Sequence, residues 1–110
     1  MAKVHYSGES KRDLEQIGDY IAEDLKNPSA ALRIVNDIQD TIDKLADFPL
    51  MGTLLSVIVE ANTNYRFLIC GKYIVFYRPQ GKGVQIDRIL YGKQDYIAIL
   101  LYGVESDEMK

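Results

Sequence analysis

The sequence is poor in the groups from which most metal, redox and nucleophilic sites are built. It holds one cysteine, Cys70, and one histidine, His5. A single thiol closes no intramolecular disulfide, which fits a reducing compartment. No Cys/His cluster, glycine-rich phosphate loop or nucleophile motif is present, so neither a metal nor a nucleotide cofactor is expected. No apolar run approaches membrane-spanning length. Residues Met1 to Ser10 lack the apolar core of a secretion signal. The chain is therefore expected in the cytoplasm, away from membranes. Cys70 has no basic or histidine neighbour in sequence and reads as a small buried apolar residue. His5 reads as a strand residue with a local hydrogen bond.

What remains is an ordinary globular composition. The hydrophobic fraction is 47% and the charged fraction 26% over 110 residues, enough for one domain with a modest core. The domain is expected to span residues 1–103, with 104–110 a polar C-terminal tail. The net charge of −3 conceals an asymmetry. Residues 1–60 carry six Lys/Arg against eleven Asp/Glu. Residues 61–96 carry Arg66, Lys72, Arg78, Lys82, Arg88 and Lys93 against Asp87 and Asp95, a local balance of +4. Local charge, not net charge, decides whether an anionic partner can dock. Composition alone favours reading that segment as solvated strand ends and turns.

Periodicity predicts an α+β fold. Lys3 to Tyr6 can form a first strand. Ser10 offers an N-cap with Asp13 three residues on, in the place of a capping-box acid. Leu14, Ile17, Ile21 and Leu25 then fall at helical spacing, with Asp13 and the other acids largely off that stripe. Asn27-Pro28 separates this helix from a second, Asn as cap and Pro at the first helical position. Ala31, Val35, Ile38, Ile42 and Leu45 form the second stripe, and Phe48-Pro49 stops it. Two amphipathic helices with so short a link imply an antiparallel hairpin. Ser56 to Glu60 is ambiguous, a short extended piece at most. Tyr65 to Cys70, Tyr73 to Arg78 and Val84 to Leu90 are rich in β-branched and aromatic residues, and tight-turn residues separate them. They predict an antiparallel three-strand meander that Gly92 ends. Asp95 can cap a short last helix holding Tyr96, Ile99 and Leu100. The hairpin must bury its stripes on one sheet face, which leaves the other face open. Tyr65, Tyr73 and Tyr77 share one strand parity and read as core edge rather than stacking platform.

Two segments carry a resemblance to a known family. The first runs from Tyr65-Arg66-Phe67 to Phe76-Tyr77-Arg78. The second is Ile86-Asp87-Arg88-Ile89-Leu90-Tyr91-Gly92-Lys93-Gln94-Asp95-Tyr96. Together with the linker Phe48-Pro49-Leu50-Met51-Gly52, they resemble the RelE/ParE toxins of bacterial type II toxin–antitoxin systems. The likeness covers nearly the whole chain in order. It implies the toxin of a plasmid-stabilising or addiction module, neutralised by a cognate antitoxin. It implies two candidate targets: DNA gyrase, inhibited by binding, or ribosome-bound mRNA, cleaved without a metal. A third implication is a protein that keeps only antitoxin binding and operon autoregulation. A toxin–antitoxin hetero-oligomer would reach operator DNA through the antitoxin.

If the chain is an mRNA endonuclease, its candidate catalytic residues are Arg66, Arg88, Tyr91, Lys93 and Tyr96. Metal-free RNA cleavage needs a base, cations for the developing phosphate charge and an acid for the leaving oxygen. Arg66 and Arg88 can grip phosphate through a planar guanidinium. Lys93, Tyr91 and Tyr96 lie at or just beyond the end of the last strand. Tyr91 stands where many relatives carry histidine, and a tyrosine near its ordinary pKa of about 10 is a poor base at neutral pH. The stretch Met51 to Asn64 contains no lysine or arginine to hold an RNA backbone. These departures favour the gyrase reading. The alternative for the two arginines is pairing with Glu60, Asp87 or the antitoxin. Strand parity leaves Arg88 either at a bulge or pointing into the core face. If Arg66 and Arg88 serve toxicity, alanine at either abolishes growth arrest and leaves the melting temperature within a few degrees. An acidic antitoxin segment, disordered until bound, is expected to fold over the basic meander.

Overall fold

The computed structural model describes residues 2–57 and 63–103. The elements are β1 (Lys3–Tyr6), α1 (Gly8–Asp19), α2 (Pro28–Asp43), β2 (Thr53–Leu54), β3 (Arg66–Cys70), β4 (Tyr73–Gln80), β5 (Gly83–Tyr91) and α3 (Tyr96–Tyr102). The five strands form one sheet in the order β1-β5-β4-β3-β2. Only β1–β5 is parallel; β2–β3, β3–β4 and β4–β5 are antiparallel. The expected α+β architecture of strand, helical hairpin, meander and short last helix is thus present. The expected tail at 104–110 and most of the ambiguous piece at Ser56–Glu60 lie outside the described residues. The first two residues of that piece belong to a 3-10 turn, Leu55–Val57.

The first helix begins three residues earlier than Ser10 suggests. Ser7 is the N-cap, its Oγ accepting from the Ser10 N–H at 2.9 Å. The same oxygen donates to the Asp87 carbonyl at 2.8 Å and ties the helix start to β5. Ser10 is fully buried and donates to the Ser7 carbonyl. Two serines three residues apart both satisfy the local capping rule; the contact with β5 selects Ser7.

Ile17 and Ile21 are buried as the stripe requires, but Leu25 is 56% exposed. Residues Tyr20–Asp24 form a π-turn, closed by Leu25 N–H donating to the Tyr20 carbonyl at 3.1 Å. A π-turn inserts one extra residue into the helical period and rotates the residues after it off the stripe. Lys26 then takes a positive φ of 53° and reverses the chain. In α2, Asn27 caps through its side chain and Pro28 opens the helix, as expected. Ala31, Ile38, Ile42 and Leu45 are buried; Val35 is half-buried.

The hairpin packs on the face presented by Tyr73, Val75, Tyr77, Val84, Ile86 and Ile89. The opposite face is not left open. Leu55, Phe76, Leu90 and Ile99 form a second cluster there, joined by Tyr96 and Leu100 of α3. The short last helix therefore covers part of the surface that the two long helices cannot reach. This is why Val75, Phe76 and Tyr77 are buried in succession: β4 is a central strand covered on both sides.

Gly71 and Gly81 both have positive φ and stand first in two-residue turns completed by Lys72 and Lys82. That is the glycine placement a type II′ hairpin requires. Between Phe76 and Tyr77 the β4–β5 register shifts: Phe76 faces Arg88 and Tyr77 faces Ile86, leaving Asp87 as the extra residue. This bulge resolves the parity conflict around Arg88.

Candidate functional site

Arg88 is held inside the protein. Its Nε donates to Asp13 Oδ2 at 2.8 Å and its Nη2 to Asp13 Oδ1 at 2.9 Å, a two-pronged pair. The Ile89 backbone N–H donates to the same carboxylate at 2.9 Å. The two side chains are 14% and 8% exposed. Asp13 thus joins α1 to β5 across 75 residues of sequence. The bulge at Asp87 places Arg88 for this reach. Of the two placements that strand parity left open for Arg88, the structure shows the bulge, with the guanidinium in a buried pair with Asp13. Asp13, expected off the apolar stripe, lies on its edge. It precedes Ile17 by four residues, which was the available signal.

Arg66 is anchored differently. Its Nη1 donates to the Gly52 carbonyl at 2.8 Å and the Leu50 carbonyl at 3.2 Å. From the other side of Gly52, its N–H donates to the buried Tyr77 hydroxyl at 2.9 Å. Arg66 and Tyr77, paired across β3 and β4, therefore clamp the linker between the helical hairpin and β2. Burial pushes the Tyr77 hydroxyl above its ordinary pKa, with the Gly52 hydrogen bond and Arg66 acting against the rise. Tyr77→Phe removes the acceptor and leaves a buried N–H without its partner. We expect a loss of about 1–3 kcal/mol in urea denaturation, and an unchanged midpoint would dismiss the clamp.

The remaining candidates do not gather around these arginines. Tyr91 packs against Tyr73 with the rings tilted by 53° and their centres 5.8 Å apart, on the hairpin side of the sheet. Tyr96 lies against Phe76 at 5.4 Å, on the opposite side. Lys93 is exposed in the turn between β5 and α3. That turn is closed by Gln94, which accepts from the Tyr91 N–H through its side chain and donates its own N–H to the Tyr91 carbonyl. Tyr91 and Tyr96 thus stand on opposite faces of the sheet. Burial also pushes Tyr65 and Tyr73 above their ordinary value, away from the range of a base at neutral pH.

The basic excess of residues 61–96 is partly consumed inside the sheet. Arg78 donates to Asp87 through Nε at 2.6 Å and Nη2 at 3.2 Å. Its guanidinium carbon also lies 5.3 Å from the Tyr65 ring centre, so that ring is covered by a cation. Tyr65 was expected on the same face as Tyr73 and Tyr77; it instead packs against the second cluster, on the other side. Lys72, Lys82 and Lys93 remain exposed, with no ion pair to a carboxylate among the described residues. Cys70 is half-buried, 3.6 Å from the Thr41 hydroxyl. The described residues contain no cluster of three or more metal-ligating side chains and no helix long and apolar enough to cross a membrane.

Comparison with known proteins agrees with this fold. A family model described as the ParE toxin of the type II toxin–antitoxin system parDE matches residues 4–96. Among solved structures, a chain from the chromosomal ParDE toxin–antitoxin system of P. aeruginosa is similar at a TM-score of 0.70 and 26% identity. The match covers 83% of this chain and 96% of that one. No curated protein matches the sequence.

Proposed function

Because the chain belongs to the ParE toxin family of type II toxin–antitoxin systems, we propose that it arrests growth by binding DNA gyrase and that a cognate antitoxin holds it inactive. The observation that carries the choice of a binding inhibitor over a nuclease is the dispersal of the cleavage candidates. Arg88 is occupied by Asp13 and Arg66 by two backbone carbonyls, while Tyr91 and Tyr96 lie on opposite faces of the sheet. Metal-free phosphoryl chemistry needs its cations and proton carriers within reach of one phosphate. A binding inhibitor needs only a shaped surface.

Induced expression separates the readings. Growth should stop, DNA supercoiling should fall, and translation rate with mRNA integrity should hold through the same interval. Co-expression of the neighbouring gene should restore growth. Early loss of translation with cut ribosome-bound mRNA would transfer the protein to the RelE-like nuclease reading. Unimpaired growth with folded protein present would leave only the antitoxin-binding, autoregulatory role.

A further inference from the structure

The β2 edge of the sheet carries an apolar surface that the fold leaves uncovered. Five of the nine large apolar side chains exposed among the described residues fall between Phe48 and Val57. Phe48 is 63%, Leu50 61% and Val57 71% exposed, and Met51 and Leu54 are exposed as well. No charged residue occurs from Phe48 to Val57. The segment is nonetheless held in place. The Met51 N–H donates to the Phe48 carbonyl at 3.1 Å, and Arg66 and Tyr77 fix the backbone at Leu50 and Gly52. Side chains presented on an anchored backbone lose little further freedom when a partner covers them.

The backbone of β2 is open in the same direction. No strand lies beyond it among the described residues. Leu54 faces Arg66 in the β2–β3 register, and the next residue, Leu55, donates its N–H to the Tyr65 carbonyl at 2.9 Å. Thr53 and Leu55 therefore turn their backbone groups toward β3, and Leu54 turns its N–H and carbonyl outward. Edge strands are commonly blunted by a charge or a proline. The two residues of β2, Thr53 and Leu54, supply neither. An outward N–H and carbonyl on one residue are complementary to themselves. Two copies related by a two-fold axis beside Leu54 would pair β2 with β2 in antiparallel fashion and exchange both bonds. Their side chains would meet without conflict of charge, because the patch holds none.

The five side chains offer on the order of 500 Å² of apolar surface, a size at which an exposed patch is commonly functional. Set against itself, the patch would bury about 1,000 Å² in total, the threshold for a specific interface. A phosphate backbone finds no cation from Phe48 to Val57, which leaves a nucleic acid without a hold. We infer that this face binds a second copy of the chain, joining two sheets edge to edge through β2 in a homodimer whose Phe48–Val57 patches cover one another. Self-association through this edge is independent of the toxin's target.

Sedimentation equilibrium of the full chain alone should show a species of twice 12.5 kDa. Association should be evident at about 100 µM, within reach of a small interface. Leu54→Lys and Leu54→Glu each place like charges face to face at the axis, and each should weaken association by roughly tenfold or more. Mixed in equal amounts, the two variants should associate again, because the facing charges are then opposite. Phe48→Glu combined with Val57→Glu, at the two most exposed positions of the patch, should also give a monomer with its melting temperature kept. Amide exchange at residue 54 of the wild type should slow as protein concentration rises. A wild-type monomer at about 100 µM defeats the homodimer and gives the patch to residues 104–110 or to a different protein. A dimer that these variants keep, a mixture that fails to associate, or exchange at residue 54 that ignores concentration defeats it equally.

Discussion

Asp13→Ala should cost about 3–5 kcal/mol of folding stability and lower the melting temperature by more than roughly 10 °C. The substitution removes the carboxylate that neutralises Arg88 and the acceptor of the Ile89 N–H in one step. Arg88→Ala should cost a similar amount, because Asp13 would remain buried without its cation. Growth arrest would fail in both variants through loss of folded protein, not through loss of a contact to the target. The double variant should be less destabilised than the sum of the singles, since each single leaves a charge that the other removes. Arg88→Lys should fall between, because an ammonium cannot reproduce the two-pronged geometry. Thermal and urea denaturation of the four proteins decide the matter. A change below about 0.5 kcal/mol for Arg88→Ala would falsify the structural assignment and return this arginine to the candidates for target contact.

The second large effect is expected at Gly52, where alanine should destabilise by about 3 kcal/mol. Its added methyl would stand 2.7 Å from both Cε1 and the hydroxyl of Tyr77, and 2.9 Å from the Phe67 carbonyl. Tyr77 is fully buried and its ring cannot swing aside, while the carbonyl belongs to the β3 backbone. The linker would have to lift, breaking the Arg66 and Tyr77 hydrogen bonds to residues 50–52. Gly52→Ala and Tyr77→Phe share this contact, so their combined cost should be less than additive. A urea midpoint for Gly52→Ala indistinguishable from wild type would show that the linker moves freely and that the clamp carries no stability.

These expectations rest on contacts that local pattern reading reached unevenly. Asn27-Pro28, the α2 stripe, the Gly-Lys turns and the Asp95 cap were all legible, because each depends on residues within about one turn of one another. The start of α1 was not. Ser7 and Ser10 obey the same rule, and the choice between them lies with Asp87, eighty residues from Ser7. Leu25 fits the helical period and is still exposed, because a π-turn intervenes and helical periodicity carries no record of it. The site candidates fared in the same way. Arginines at strand ends are consistent with a ligand, a partner or an internal acid; only the packing of α1 on β5 assigns Arg88 to Asp13.

Sequence by itself determined the α+β class, the order and approximate extent of the long elements, the face that α2 buries, and the resemblance to the toxin family. Those features depend on short-range chemistry: side-chain periodicity, backbone restrictions of Gly and Pro, and caps reaching three residues. Tertiary structure alone decided the bulge at Asp87, the Asp13–Arg88 pair, the Gly52 clamp, and the cover that α3 gives to the second sheet face. Each joins groups far apart in the chain, and a charge, a glycine or a hydroxyl has no fixed role until folding sets what stands opposite it.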